Sequence, residues 1–190
     1  GNREVVRGRS RVNSRVKDQE RNNGFVSGII LKNTTSIIGD EIGIKFAILD
    51  DSGKPNVKLN QLLEERFYAW EEHACVDGSS LTEAAQLTSN HSIMDGEMVI
   101  KDDFGTTEPG NPYRIQPLES DHIDGSKTAD GTGIEFDSRG LPMAFWIYPN
   151  YPDGFNVFSD SIRIKASEIT HIYKRSRASQ RRGISPLAPS

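Results

Sequence analysis

Only one cysteine, Cys75, occurs in 190 residues, so the chain cannot close an internal disulfide, and this usage suits a reducing compartment. No apolar run approaches the roughly 18–20 residues that a bilayer-crossing helix needs. The N-terminus, Gly1-Asn2-Arg3-Glu4, lacks the charged-then-apolar pattern of a secretory leader, which predicts no export. A glycine-rich phosphate loop, Gly-x-Ser-x-Gly and His-Glu-x-x-His are all missing, and with them the commonest short signals for nucleotide, acyl and zinc chemistry. Apolar residues make up 35% of the chain, low for a self-sufficient globule, while charged residues reach 26%. A chain of this length fits one domain with an appended arm.

The charge that is present is unevenly placed. The formal net charge is −4, but residues 1–32 hold eight Lys/Arg against three Asp/Glu, and residues 171–190 hold five against none. The middle, 33–170, holds ten against twenty-four. Basic ends around an acidic body do not describe a simple DNA-binding domain, whose body would also attract phosphate. They suit a subunit whose ends meet acidic neighbours or phosphate.

Patterning predicts an α+β chain with N-terminal helices followed by a mostly antiparallel sheet region. Residues 4–21 read as a charged helix with Val5, Val6, Val12 and Val16 among arginines, broken at Asn22-Asn23-Gly24. A second helix runs from Phe25 to Gly39. Ile42, Ile44, Phe46 and Ile48 alternate as a half-buried strand would. Leu59, Leu62, Leu63, Arg66, Phe67 and Trp70 form one helix face, with Phe67 and Trp70 expected in the core. Ser80-Leu81-Thr82-Glu83 is a capping box that opens a helix to about Ser92. Strands are expected at 97–101 and 113–119, with Pro117 in the latter pointing to an edge or a strand end. A hairpin turns at Ser138-Arg139-Gly140, and the last strands are 162–166 and 169–173. Residues 102–112 and 150–161 read as loops, the second carrying Phe155, Val157 and Phe158 for docking.

Candidate chemistry is sparse. His73-x-Cys75 falls short of the four ligands of a zinc site, and nothing near Cys75 depresses a thiol pKa, so a small buried thiol at a helix end is expected. Asp50-Asp51, Asp102-Asp103 and the Glu64, Glu65, Glu71, Glu72 group read as surface carboxylates. Asp121-His122-Ile123-Asp124 looks catalytic by composition alone. No metal, cofactor or catalytic residue is therefore expected, and a hydrolase built on Cys75 would have to lose activity in Cys75→Ser. The basic residues are the candidate sites: a tail strip of Lys174, Arg175, Arg177, Arg181 and Arg182, and an N-terminal arm with Arg7, Arg9, Arg11 and Arg15. Two readings stay open for them: sequence-independent phosphate contact, or bidentate pairing with acidic faces of neighbouring subunits.

The tail from His171 to Pro189, a strand with a His, a basic run and then Gln180-Arg181-Arg182-Gly183-Ile184-Ser185-Pro186-Leu187-Ala188-Pro189, resembles the lambda-type bacteriophage portal proteins. Further blocks in the same order carry the resemblance across most of the chain. They are Phe67-x-x-Trp70, Asp77-Gly78-x-x-x-Thr82-Glu83-x-x-Gln86, Asp95-Gly96-Glu97, Arg114-Ile115-Gln116-Pro117-Leu118-Glu119-x-Asp121 and Gly133-Ile134-Glu135-Phe136-Asp137-x-x-Gly140-x-Pro142-x-Ala144-Phe145. Gly28, Ser176 and Ala178 depart mildly from the pattern. The resemblance implies the N-terminal wing portion of a portal: a helical arm (1–39), an α+β wing (40–173) and a basic segment (174–190) leading toward a stem, with stem, clip and crown absent. It also implies a homo-oligomeric, usually dodecameric ring at the capsid vertex, assembled in the host cytoplasm and carried in the virion. Such a ring passes double-stranded DNA non-specifically and meets the terminase large subunit, the major capsid protein and neck or head-completion proteins. It has no activity, cofactor or membrane of its own. The rival expectation is a free-standing nucleic-acid-binding module that uses the basic termini.

Overall fold

A computed structural model of the chain describes residues 2–105, 113–152 and 160–188, with the side chains of residues 2–7 and of Ser10 outside that description. Helix α1 (Asn2–Asn22) is followed after one residue by α2 (Gly24–Ile37). The break falls at Asn23 because its extended backbone and side-chain oxygen, which accepts from the Phe25 amide, start a new helix. Helix α3 (Val57–Glu71) is capped by Asn56, and α4 (Leu81–Met94) by the complete Ser80/Glu83 capping box.

Six strands follow: β1 (Glu97–Phe104), β2 (Tyr113–Glu119), β3 (Ile134–Phe136), β4 (Pro142–Ile147), β5 (Ile162–Lys165) and β6 (Ile169–Tyr173). They form two antiparallel sheets, ordered β2-β1-β6 and β3-β4-β5. Pro117 sits in β2, an edge strand, as its missing amide requires. Phe145, Ile147, Ile134 and Ile164 from one sheet meet Val99 and Leu118 from the other, with Ile123 between, and make the main core. A smaller cluster of Cys75, Ala84 and Ile115 joins α4 to β2. The fold is α+β.

Two expectations need correction. Residues 41–48 are extended, as the alternation implied, but they pair with no strand among the described residues. Their alternate amides instead bond side chains of the following helices: Ile48 to Asn60 Oδ1 (2.9 Å), Phe46 to Glu64 Oε1 (3.1 Å), Ile44 to the Tyr68 hydroxyl (3.3 Å) and Ile42 to Thr82 Oγ1 (3.1 Å). Three of these acceptors are spaced by four on α3, so one helix face reads an extended chain two residues at a time. That use of the face explains the second correction. Asn60 is the only buried residue of α3, while Leu59 and Leu62 are exposed. Phe67 and Trp70 are half-buried and not core. Trp70 still ties α3 to the sheet, stacking on Tyr113 and donating from Nε1 to its carbonyl at 2.9 Å. The first expected loop begins later than predicted, since 102–104 extend β1, and Phe155, Val157 and Phe158 lie outside the described residues.

The Asn60 side chain both accepts from the Ile48 amide and donates to its carbonyl at 3.2 Å. Asn60→Ala leaves the Ile48 amide without a protein partner, while the Ile48 carbonyl keeps the Asn56 amide at 2.8 Å, at a cost of about 1–3 kcal/mol for a local opening. By amide hydrogen exchange, Ile48 should lose protection by about tenfold or more, while the core amide of Val99 is unchanged.

Candidate functional site

Strand β1 begins with a charged residue among apolar ones: Glu97 precedes Met98 and Val99, and all three are fully buried. A lone buried carboxylate would be expelled or protonated, so the fold has to surround it with donors. Arg182 donates to both oxygens, with Nε 2.8 Å from Oε1 and 3.1 Å from Oε2 and Nη2 2.5 Å from Oε1. Arg9 of α1 reaches Oε1 through Nη1. His171 of β6 donates from Nε2 to Oε2 at 2.9 Å, and the Gly183 amide donates to Oε2 at 2.6 Å. Arg182 also donates to the carbonyls of Thr132 (2.6 Å) and Ser120 (3.3 Å). One carboxylate thus joins the N-terminal helix, β6 and the tail, and Arg182 carries the link on to Ser120 and Thr132.

The tail can come this close because of two glycines. A Cβ on Gly183 would run into the Gly96 carbonyl and Glu97 Cβ, and one on Gly96, whose φ is +80°, would run into the Ile184–Ser185 backbone. Beyond them, Ser185 is buried and donates from its hydroxyl to the Ile93 carbonyl at 2.7 Å.

Burial alone would push the Glu97 carboxyl up. The Arg182 and Arg9 charges and the bonds from His171 and Arg182 outweigh it and hold the group well below the usual carboxylate range. For Arg9 burial wins, and its pKa falls below the ordinary arginine value.

A second charged group lies two turns along α1. Arg9, Asn13 and Lys17 are spaced by four and share one face. Asn13 donates to Ser120 Oγ at 3.3 Å. Lys17 Nζ bonds Glu119 (2.8 Å) and Asp121 (2.9 Å) and stands 3.6 Å from Asp95. Burial opposes the lysine charge, but Glu119, Asp95 and Asp121 together raise its pKa. His91, Asp95 and Glu119 present ligand atoms within 4.8 Å of one another, the one such group among the described residues. Sequence spacing did not reveal it, since His91 and Asp95 belong to α4 and its C-cap while Glu119 ends β2. The positive charge it calls for is delivered by Lys17.

Four cations of the basic ends, Arg9, Lys17, Arg181 and Arg182, therefore close on the chain's own acidic middle. Arg182 is buried and is removed from the expected surface strip. Arg181 stacks on Phe136, 4.0 Å from the ring centre, and pairs with Asp130 at 3.1 Å. Lys174, Arg175 and Arg177 remain exposed. They sit on a turn braced from inside by buried Gln180, which accepts from the Ser176 amide at 2.8 Å and donates to the Arg182 carbonyl at 2.8 Å. At the other end Arg11 and Arg15 are exposed, Arg9 is used internally, and the Arg7 side chain lies outside the described residues.

An open cleft of about 690 Å³ runs beside β6, with Phe136, Ala166 and Ile169 in its wall and Arg139, Arg175 and Arg181 around it. Among the described residues that line it there is no carboxylate, and its titratable uncharged side chains are His171 and Tyr173. Burial pushes the Cys75 thiol up, against thiolate chemistry, and His73 is exposed with Nδ1 3.4 Å from the Gly78 carbonyl. In the Asp121–Asp124 run, Asp121 serves Lys17, His122 bonds the Tyr148 carbonyl, and Asp124 accepts from Ser126 and Ser161.

Replacing Glu97 by Gln leaves two arginines facing a neutral amide and is expected to cost about 3–5 kcal/mol. The depressed carboxyl also fixes the pH response. Its contribution is complete above the unfolded glutamate pKa of about 4.3 and is lost as pH falls through the lower folded value. Thermal melts from pH 7 to 2 should show this acid-dependent loss in the parent protein, and a flatter profile in Glu97→Gln.

No curated protein matches the chain. The family described as "Phage portal protein, lambda family" matches it over residues 1–190. With every residue covered by that match, the chain belongs to the lambda family of phage portal proteins.

Proposed function

We propose that this chain is the wing portion of a portal subunit, one wedge of a closed ring at a capsid vertex. What carries the reading is the family match along all 190 residues. The mechanism is geometric and electrostatic. A heterologous contact repeated around an axis closes the ring, the channel passes double-stranded DNA without reading its sequence, and the outer surfaces receive the terminase large subunit, the major capsid protein and neck or head-completion proteins. The ring is built in the host cytoplasm, is commonly of twelve copies, and performs no bond chemistry. In this reading 1–39 is a helical arm, 40–173 the wing and 174–190 the segment that leads toward the stem. The exposed part of the basic tail, Lys174, Arg175 and Arg177, serves neighbours or passing phosphate, together with Arg11 and Arg15 of the arm. Full-length protein imaged by negative stain should show rings with a central hole. Persistent monomers would overturn the reading.

The exposed cations also favour a second reading, a free-standing nucleic-acid-binding module. If Lys174, Arg175 and Arg177 each neutralised a phosphate, log K against log salt would fall with a slope of about −3. The portal reading expects the 190-residue chain to bind duplex DNA too weakly at physiological salt to define such a slope. Fluorescence anisotropy across a salt series, with the triple alanine variant alongside, separates the two.

A further inference from the structure

In an extended chain, successive backbone amides and carbonyls point to opposite sides. Along residues 42–48 the even-numbered amides are all taken by helix side chains, and the Ile44 and Ile48 carbonyls accept from Tyr68 and Asn60 on that same side. The odd-numbered residues, Gly43, Lys45 and Ala47, turn their backbone the other way, are exposed, and bond no described residue. The result is a strand with one edge anchored to α3 and one edge bare. A bare edge of this kind is a template for pairing with another chain.

The rest of the molecule offers a matching edge. Strand β6 ends its sheet, with β1 on one side and no described strand on the other. The outer side of β2 is already used near its middle, where the Ile115 amide and carbonyl bond Ala74 and Val76. Charge agrees with the choice of β6. Residues 41–72, the strand and α3, hold seven Asp/Glu against four Lys/Arg, while 169–177 hold three Lys/Arg and no acid. Apolar surface agrees as well: Leu49, Val57 and Leu62 of the lobe and Ile172 of β6 are exposed.

We propose that residues 42–48 of one copy add to the open edge of β6 in the next copy, extending β2-β1-β6 to a four-stranded sheet across the subunit boundary. The inference rests on the ring reading and names its contact. The two edges differ, so the contact is head-to-tail, the kind that closes a ring when the rotation permits. The acidic lobe then lies beside Lys174, Arg175 and Arg177 of the neighbour.

Ala47→Pro tests this in the full-length protein, because proline deletes an outward amide and favours extended geometry in the residue before it. Monomer melting should match the parent, while the yield of rings falls about tenfold or more. Lys45→Ala, which keeps its amide, should assemble normally. A second measurement does not depend on the proline being tolerated: Ala47→Cys combined with Thr170→Cys should give disulfide-linked ladders on mild oxidation, and each single variant none, since Cys75 is buried. Rings at parental yield from Ala47→Pro, or rings of the double-cysteine protein that never cross-link, overturn the proposal while leaving the ring itself intact. Failure of the parent protein to form rings would instead count against the portal reading.

Discussion

A carboxylate with no access to water holds this chain together. Glu97 is taken by guanidinium groups from both ends of the sequence, by a histidine on the neighbouring strand and by a backbone amide of the tail. The donors come from three places, α1, β6 and the tail, so the arrangement of the first sheet, α1 and the tail around one point is fixed by the need to neutralise a single charge. The tightness of the tail follows from it. The Gly183 amide reaches Glu97 only because Gly96 and Gly183 bring two backbones together without side chains between them. A buried pair of this kind is a poor source of net stability compared with apolar packing, but removing one member leaves a charge stranded. Its value lies in specifying one arrangement.

The same logic accounts for the uneven charge along the sequence. Arg9, Lys17, Arg181 and Arg182, all from the basic ends, pair with Glu97, Glu119, Asp121 and Asp130 of the acidic middle. What remains exposed of those ends, among the described residues, is Arg11, Arg15 and Arg21 of α1, Lys32 of α2, and Lys174, Arg175 and Arg177 on the turn at 174–177. The surface that a neighbour or a phosphate backbone would meet is therefore smaller than composition suggests, and it is held by the Gln180 brace.

Signals that act within a few residues were readable. The Asn23 break between α1 and α2, the Ser80/Glu83 capping box, the edge position of the Pro117 strand and the hairpin at Gly140 each depend on local backbone demands. The extended state of 42–48 was also readable from its alternation, but its partner was not, because a helix presenting Asn60, Glu64 and Tyr68 leaves no period-two trace. Arg182 was misplaced for a related reason: a basic run reads as surface, and its acceptor lies 85 residues away. Two clues were present, a glutamate opening an otherwise apolar strand and the four-residue spacing of Arg9, Asn13 and Lys17. Neither specifies a pairing until the strands are in place.

Family membership places the chain in a ring-forming assembly, and the fold pairs a buried charge cluster with an exposed basic turn at 174–177. The tail is held to the body of the fold through Arg182 and Gly183, both bonded to Glu97. A side-chain-resolution map of the assembled full-length protein tests this most directly. The account predicts the Arg9 and Arg182 guanidinium groups on Glu97 of their own chain in every copy. Arg182 facing the channel, or crossing to an acid of the adjacent copy, would contradict it.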